Sequence, residues 1–151
     1  MFRQIVRSPF VASATRSANV SRRAFHASRV AKEHYLDATP EVFERRVIDA
    51  EDPNKLVIVD FYADWCGPCK TLTPLLKRVT SDVSETDGQE VDLVTVNTDE
   101  QMELAQKYQI RALPTVTAFK GGKPLGHFVG AIPPHQLGET LKTWVASAPP
   151  S

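Results

Sequence analysis

The sequence predicts an α/β protein, a central mixed β-sheet flanked by helices on both faces. Three observations carry this. The runs Leu56 to Phe61 and Val91 to Asn97 are short, rich in Val and almost continuously apolar, as in strands covered on both sides. Stretches with helical apolar spacing alternate with them. The last two short runs flank Gly121-Gly122 and read as an antiparallel hairpin, so the sheet is mixed.

Each element has its own signal. Thr39 is a good N-cap, Pro40 suits the first helical position and Glu41 the positive end of a helix dipole. That helix is expected to reach about Ala50, burying Val42, Phe43 and Val47, with Asp52-Pro53-Asn54 ending it. The strand at Leu56 comes next. A second helix is expected over about Lys70 to Val83, with Cys66 and Cys69 delivered to its first turn. Pro74 lies inside it, where it removes one hydrogen bond and should kink the helix. Ser84 to Glu90 reads as a polar turn before the strand at Val91. Thr98 and Gln101 are spaced as a capping box, and Leu104, Ala105 and Tyr108 form the inner face of the helix it would open. Thr115 to Phe119 and Leu125 to Val129 form the hairpin. Pro134 starts a last helix, with Leu137, Leu141, Trp144 and Val145 at helical spacing.

The chain has 18 basic and 18 acidic residues, but they are unevenly distributed. Residues 1–32 hold Arg3, Arg7, Arg16, Arg22, Arg23, Arg29 and Lys32 and no acid at all; every Asp and Glu lies at or beyond Glu33. This segment is rich in Ser and Ala, and Phe2, Ile5, Val6 and Phe10 are spaced to share a helical face. That is the composition of an organellar transit peptide, and Arg23-Ala24-Phe25-His26-Ala27-Ser28 resembles a mitochondrial processing pattern. A basic arm that binds nucleic acid or lipid is the alternative. The expected organisation is therefore a removable leader, 1–32, and one domain, 33–151, in the mitochondrial matrix. The acidic excess of that domain argues against nucleic acid as a partner, and no apolar run approaches membrane-spanning length.

Cys66 and Cys69 are the only cysteines, set in Trp65-Cys66-Gly67-Pro68-Cys69-Lys70 between a strand and a helix. Free N–H groups and the helix dipole favour a thiolate there, and the thiolate is the nucleophile of disulfide exchange. Zinc usually takes four ligands. There is no second cysteine pair, and His26, His34, His127 and His135 show no close spacing, so no metal is expected. A purely structural bridge would close too small a loop to stabilise much through chain entropy. A dithiol that opens and closes is the reading that uses the spacing. Gly121-Gly122 sits in a hairpin turn, unlike a phosphate-binding loop, and no bound cofactor is expected.

These residues resemble the thioredoxin family, specifically its mitochondrial members. The resemblance rests on Val59-Asp60-Phe61, Ala63, Trp65 to Lys70, Pro74, Asn97, Asp99, Arg111-Ala112-Leu113-Pro114-Thr115, Phe119-Lys120, Gly122 and Val129-Gly130-Ala131. It implies the thioredoxin fold and the activity of a protein-disulfide reductase, recycled by an NADPH-dependent thioredoxin reductase. Peroxiredoxins and methionine sulfoxide reductases are the downstream partners it implies. Cys66 is expected to be the exposed attacking thiol and Cys69 the resolving one. Gly67 and Pro68 tune the pair toward reduction, because Pro68 brings neither charge nor N–H to hold a thiolate. Asp60 is the buried acid implied to deprotonate Cys69, its pKa raised by burial. Trp65, Gly67, Pro68, Leu113 and Gly130 are implied to form a flat docking patch, with Pro114 cis and facing the cysteines. The Leu113 backbone is placed to pair with an extended substrate. Lys70 either stabilises the thiolate or is simply solvated, and Arg111 is expected on the surface.

Two positions depart from the family pattern. Thr95 stands where a lysine is common beside the buried acid, so Asp60 is expected to lack a cationic partner. Tyr62 stands where tryptophan is common, and its hydroxyl needs a partner or water.

Overall fold

The computed structural model describes residues 33–147; the expected leader, 1–32, and residues 148–151 lie outside the described residues. Five strands, β1 (His34–Tyr35), β2 (Leu56–Tyr62), β3 (Val91–Asn97), β4 (Thr115–Lys120) and β5 (Lys123–Val129), form one sheet in the order β1-β3-β2-β4-β5. β1, β3 and β2 run parallel, and β4 and β5 are antiparallel. The helices are α1 (Pro40–Phe43), α2 (Gly67–Ser81), α3 (Met102–Lys107) and α4 (Pro134–Ala146). No helix among the described residues is long and apolar enough to cross a membrane.

The period-two geometry of β2 divides the core. Leu56 and Ile58 pack with Leu72, Leu76 and Val79 of α2 and Leu137, Leu141 and Trp144 of α4. Val57, Val59 and Phe61 face the other way, onto Phe43, Val47, Leu104 and Phe119. Asp60 continues the Leu56–Ile58 row, so the alternation carries a carboxyl into the face covered by α2.

Several boundaries differ from expectation, each for a local reason. β1 was not anticipated: two residues are too short for a periodic signal, and the pairing is anchored from outside. The Leu93 N–H donates to the Glu33 carbonyl, and the Glu33 N–H donates to the Asp92 carboxylate. After α1, residues Glu44–Ile48 form a wider helical turn, with Asp49 N–H reaching the Glu44 carbonyl at 2.8 Å, and the helix ends short of Ala50. α2 begins at Gly67 and runs through Pro74 but stops at Ser81, because Asp82 turns extended and its carboxylate caps a short tight turn, Val83–Thr86. The Thr98–Gln101 capping box does not form. Thr98 is bound to the end of β2, its N–H and hydroxyl both donating to the Tyr62 carbonyl, and α3 starts only at Met102.

The hairpin turn is Gly121-Gly122 alone, with φ of +59° and +74°, the region a two-residue turn between twisted strands requires. Gly122 also lies against the first helix: a Cβ there would stand 2.4 Å from the Ile48 carbonyl oxygen. At the same end of β4, next to the turn, the buried Lys120 ammonium donates to the Val145 and Ser147 carbonyls at 3.0 and 2.7 Å. It satisfies acceptors that the end of α4 would otherwise leave open.

Candidate active site

The site is assembled where β2 ends and α2 begins. Cys66 is the N-cap of α2, with extended backbone, and its sulfur accepts the Cys69 N–H at 3.3 Å. Helical geometry then places Cys69 one turn inward, and the two sulfurs are joined as a disulfide with Cα atoms 5.3 Å apart. An N–H donor at a helix N-terminus is the kind of group that favours a thiolate over a thiol.

Cys66 is only 3% exposed, which corrects the expectation of an exposed sulfur. The disulfide draws it toward Cys69, and the pair packs with Ala63, Tyr62 and Leu113. The exposed group is its neighbour Trp65, 71% accessible, whose indole N–H donates to the Asp99 carboxylate at 3.0 Å. The Asp99 backbone is in turn fixed by its N–H donating to the Asn97 side chain.

The loop before β4 brings the distant residues in. Leu113 packs on the cysteine cluster, the Leu113–Pro114 bond is cis, and the Gly130 N–H donates to the Pro114 carbonyl at 2.8 Å. Gly130 has φ +88°, conformational space a side chain would strain. Gly67 and Pro68 are exposed in the first turn of α2, Lys70 is exposed one residue beyond Cys69, and Arg111 is on the surface. Leu113, Pro114 and Gly130 are thus tied to one another and to the cysteines.

Asp60 is fully buried beneath this surface. Its Oδ2 accepts the Thr73 hydroxyl at 2.6 Å, while Oδ1 has no hydrogen-bond partner. Burial pushes the carboxyl up to about 6; the Thr73 hydrogen bond and the positive charge of Lys77 pull in the opposite direction. A cation therefore does act on Asp60, from α2 instead of β3, which corrects the expectation drawn from Thr95. Thr95 pairs with Asp60 in register but is occupied with Asp37, whose N–H donates to the Thr95 hydroxyl oxygen at 2.9 Å. Asp37 also accepts the Tyr62 hydroxyl, which gives that phenol its partner. Burial and the Asp37 carboxylate hold the Tyr62 hydroxyl protonated well above its ordinary range.

Thr73, Lys77 and Asp37 were not singled out in the sequence. A signal existed for two of them: Cys69, Thr73 and Lys77 recur every four residues and share one stripe of α2. All three line a cavity of about 300 Å³, together with Tyr62, Thr95 and Asp37. Among the described residues no group of three or more His, Cys, Asp or Glu side chains is arranged to hold a metal ion.

A disulfide at a helix mouth, a buried carboxyl behind it and a cis proline loop beside it define a thiol–disulfide oxidoreductase. The thioredoxin family model matches residues 34–143, and the chain belongs to the thioredoxin family. It is 38% identical over 128 residues to Thioredoxin Y, chloroplastic, of Oryza sativa subsp. japonica, covering 85% of this chain and 70% of that protein. It is 40% identical over 114 residues to a thioredoxin of Synechocystis sp., covering 73% of this chain and all of the relative. Among solved structures, Malassezia sympodialis thioredoxin superimposes with a TM-score of 0.62 at 33% identity, over 77% of this chain and 92% of that one.

Proposed function

We propose that this protein is a protein-disulfide reductase of the mitochondrial matrix, recycled by an NADPH-dependent thioredoxin reductase. The observation that carries the reductase reading is the Cys66–Cys69 pair, with Cys66 as helix cap and Cys69 one turn deeper. Reduced Cys66 attacks a substrate disulfide as a thiolate; one substrate sulfur leaves and the other stays bound to Cys66. Cys69 loses its proton to Asp60 and attacks the Cys66 sulfur. The mixed disulfide breaks, the second substrate sulfur departs as a thiolate that takes a proton from solvent, and the intramolecular disulfide remains. Two electrons have passed to the substrate, and the reductase restores them.

The Gly67-Pro68 pair supports the direction of transfer: Pro68 has no N–H and no charge with which to hold the reduced form. Trp65, Leu113 and Gly130 support docking of an extended, largely apolar segment through its main chain, whereas the cis Pro114 is buried behind Leu113 and does not line the surface. Peroxiredoxins and methionine sulfoxide reductases are the substrates we propose. The compartment rests on the acid-free, Arg-rich composition of residues 1–32, and the relatives named above do not bear on it.

Insulin reduction by the full chain, with NADPH and a mitochondrial thioredoxin reductase, tests the reading. Turnover is expected in the wild type and absent in Cys66→Ser. Cys69→Ser should hold substrates as covalent mixed disulfides on Cys66. Insulin turnover that persists without both cysteines would overturn the assignment.

A further inference from the structure

The cysteine chemistry does not explain why Asp60 holds its two oxygens so differently. One is bound at 2.6 Å by a hydroxyl from the same helix that carries Cys69, and the other is buried without a partner. The donor, Thr73, lies one turn beyond Cys69, and Lys77 lies one turn beyond Thr73. We propose that Thr73, backed by Lys77, is a positioning residue: it holds Oδ2 of Asp60 and leaves Oδ1 as the oxygen that receives the Cys69 proton. This rests on the reading of Asp60 as the base for Cys69.

The chemistry follows from the geometry. A carboxylate is acceptor-only, and a hydroxyl that donates to one of its oxygens favours the ionised form. A single threonine hydroxyl cannot satisfy both oxygens, and Oδ1 is the one left with both its lone pairs open. Because Thr73 and Cys69 lie on one helix, the hydrogen bond ties the Asp60 carboxyl to the helix that carries the thiol. Lys77 supports the charged form from the same stripe.

The other groups around Asp60 do not supply that help. Thr95, its register partner on β3, is neutral and bonded to Asp37; Val116, its partner on β4, is apolar. Asp37, Asp64 and Lys70 line the cavity with Thr73 and Lys77. Asp37 is engaged with Tyr62 and the Thr95 hydroxyl.

The test is stopped-flow reaction of the reduced full chain with an aromatic disulfide whose thiolate is coloured. The second release reports the attack of Cys69 on the mixed disulfide, followed across pH. Thr73→Val keeps the side-chain volume and removes the hydroxyl. Its resolution rate should fall roughly fivefold relative to wild type at pH 6 and rejoin wild type above about pH 8, the pattern of an acid whose midpoint has moved up by about one pH unit. Thr73→Ser should restore the wild-type profile. Lys77→Gln should move the midpoint in the same direction and provides a second test should Thr73→Val fold poorly. In an Asp60→Asn background, Thr73→Val should add nothing.

A Thr73→Val deficit constant across pH, or one that Ser does not rescue, would mean the threonine is only structural and would overturn the proposal. If Asp60→Asn slows resolution while neither Thr73→Val nor Lys77→Gln moves the profile, the positioning claim fails alone. If Asp60→Asn itself leaves resolution unchanged at every pH, the reading of Asp60 as base fails first.

Discussion

Replacing Asp60 with Asn should shift the stability of the oxidised protein, relative to wild type, in the variant's favour as pH rises from 4 to 7. The folded carboxyl titrates at about 6, above its ordinary value of 3.8, chiefly because it is buried. Between those two values the unfolded chain has released the proton and the folded chain has kept it. The unfolded state therefore binds fewer protons, and stability falls as pH rises through this window and stays low above it. The separation of roughly two pH units corresponds to about 3 kcal/mol at pH 7, of which about 2 kcal/mol accrues between pH 4 and pH 7. Asn cannot ionise, and its carbonyl can still accept the Thr73 hydroxyl. Its buried amide brings its own cost of about 1–3 kcal/mol, but that cost does not change with pH. The informative quantity is thus the pH dependence of the stability difference. Urea unfolding of oxidised wild type and Asp60→Asn at pH 4 and pH 7 should show the variant gaining about 2 kcal/mol relative to wild type over that interval. A difference independent of pH would refute the claim that Asp60 is held partly protonated by burial.

Three further outcomes follow from other parts of the molecule. Lys120→Met should lower the urea midpoint through a loss of about 2 kcal/mol, since it strips a charged donor from the last carbonyls of α4; an unchanged midpoint would show those carbonyls to be satisfied by solvent. Gly122→Ala should cost about 1–3 kcal/mol in the same assay, because the added Cβ meets the Ile48 carbonyl and the φ of +74° disfavours any side chain. Trp65→Ala should leave stability within about 0.5 kcal/mol, as expected of an exposed residue, yet slow insulin reduction. An equal loss in both measurements would assign Trp65 to packing instead of docking.

The parts of the molecule legible in the sequence are those written in contiguous residues. Leu56 to Phe61 could be read as a covered strand because burial on both faces leaves an almost continuous apolar run. The helix after Gly67 was announced by its cysteines, and the hairpin by two adjacent glycines. What escaped depends on partners distant along the chain. β1 exists because Glu33 meets Asp92 and Leu93 of β3. Thr98 fails to cap because Tyr62, thirty-six residues earlier, claims its hydroxyl. Cys66 is shielded because Leu113 arrives from the loop before β4. The expectation that Asp60 lacked a cation failed for the same reason: it looked across to the neighbouring strand, while the charge came from a helix packed above.

That last case bears on how the site is built. An acid useful near neutral pH needs a carboxyl raised from its ordinary range, and burial is what raises it here. Burial alone would raise it further. Thr73 and Lys77 act against it, and both come from the helix that carries the thiol. The same burial that poises Asp60 makes its ionised form costly to the fold, so function and stability pull on one side chain in opposite directions. A substitution that strengthens the fold at this position is therefore expected to weaken the transfer of the Cys69 proton, and the resolution kinetics and the urea titrations described above measure the two sides of that opposition independently.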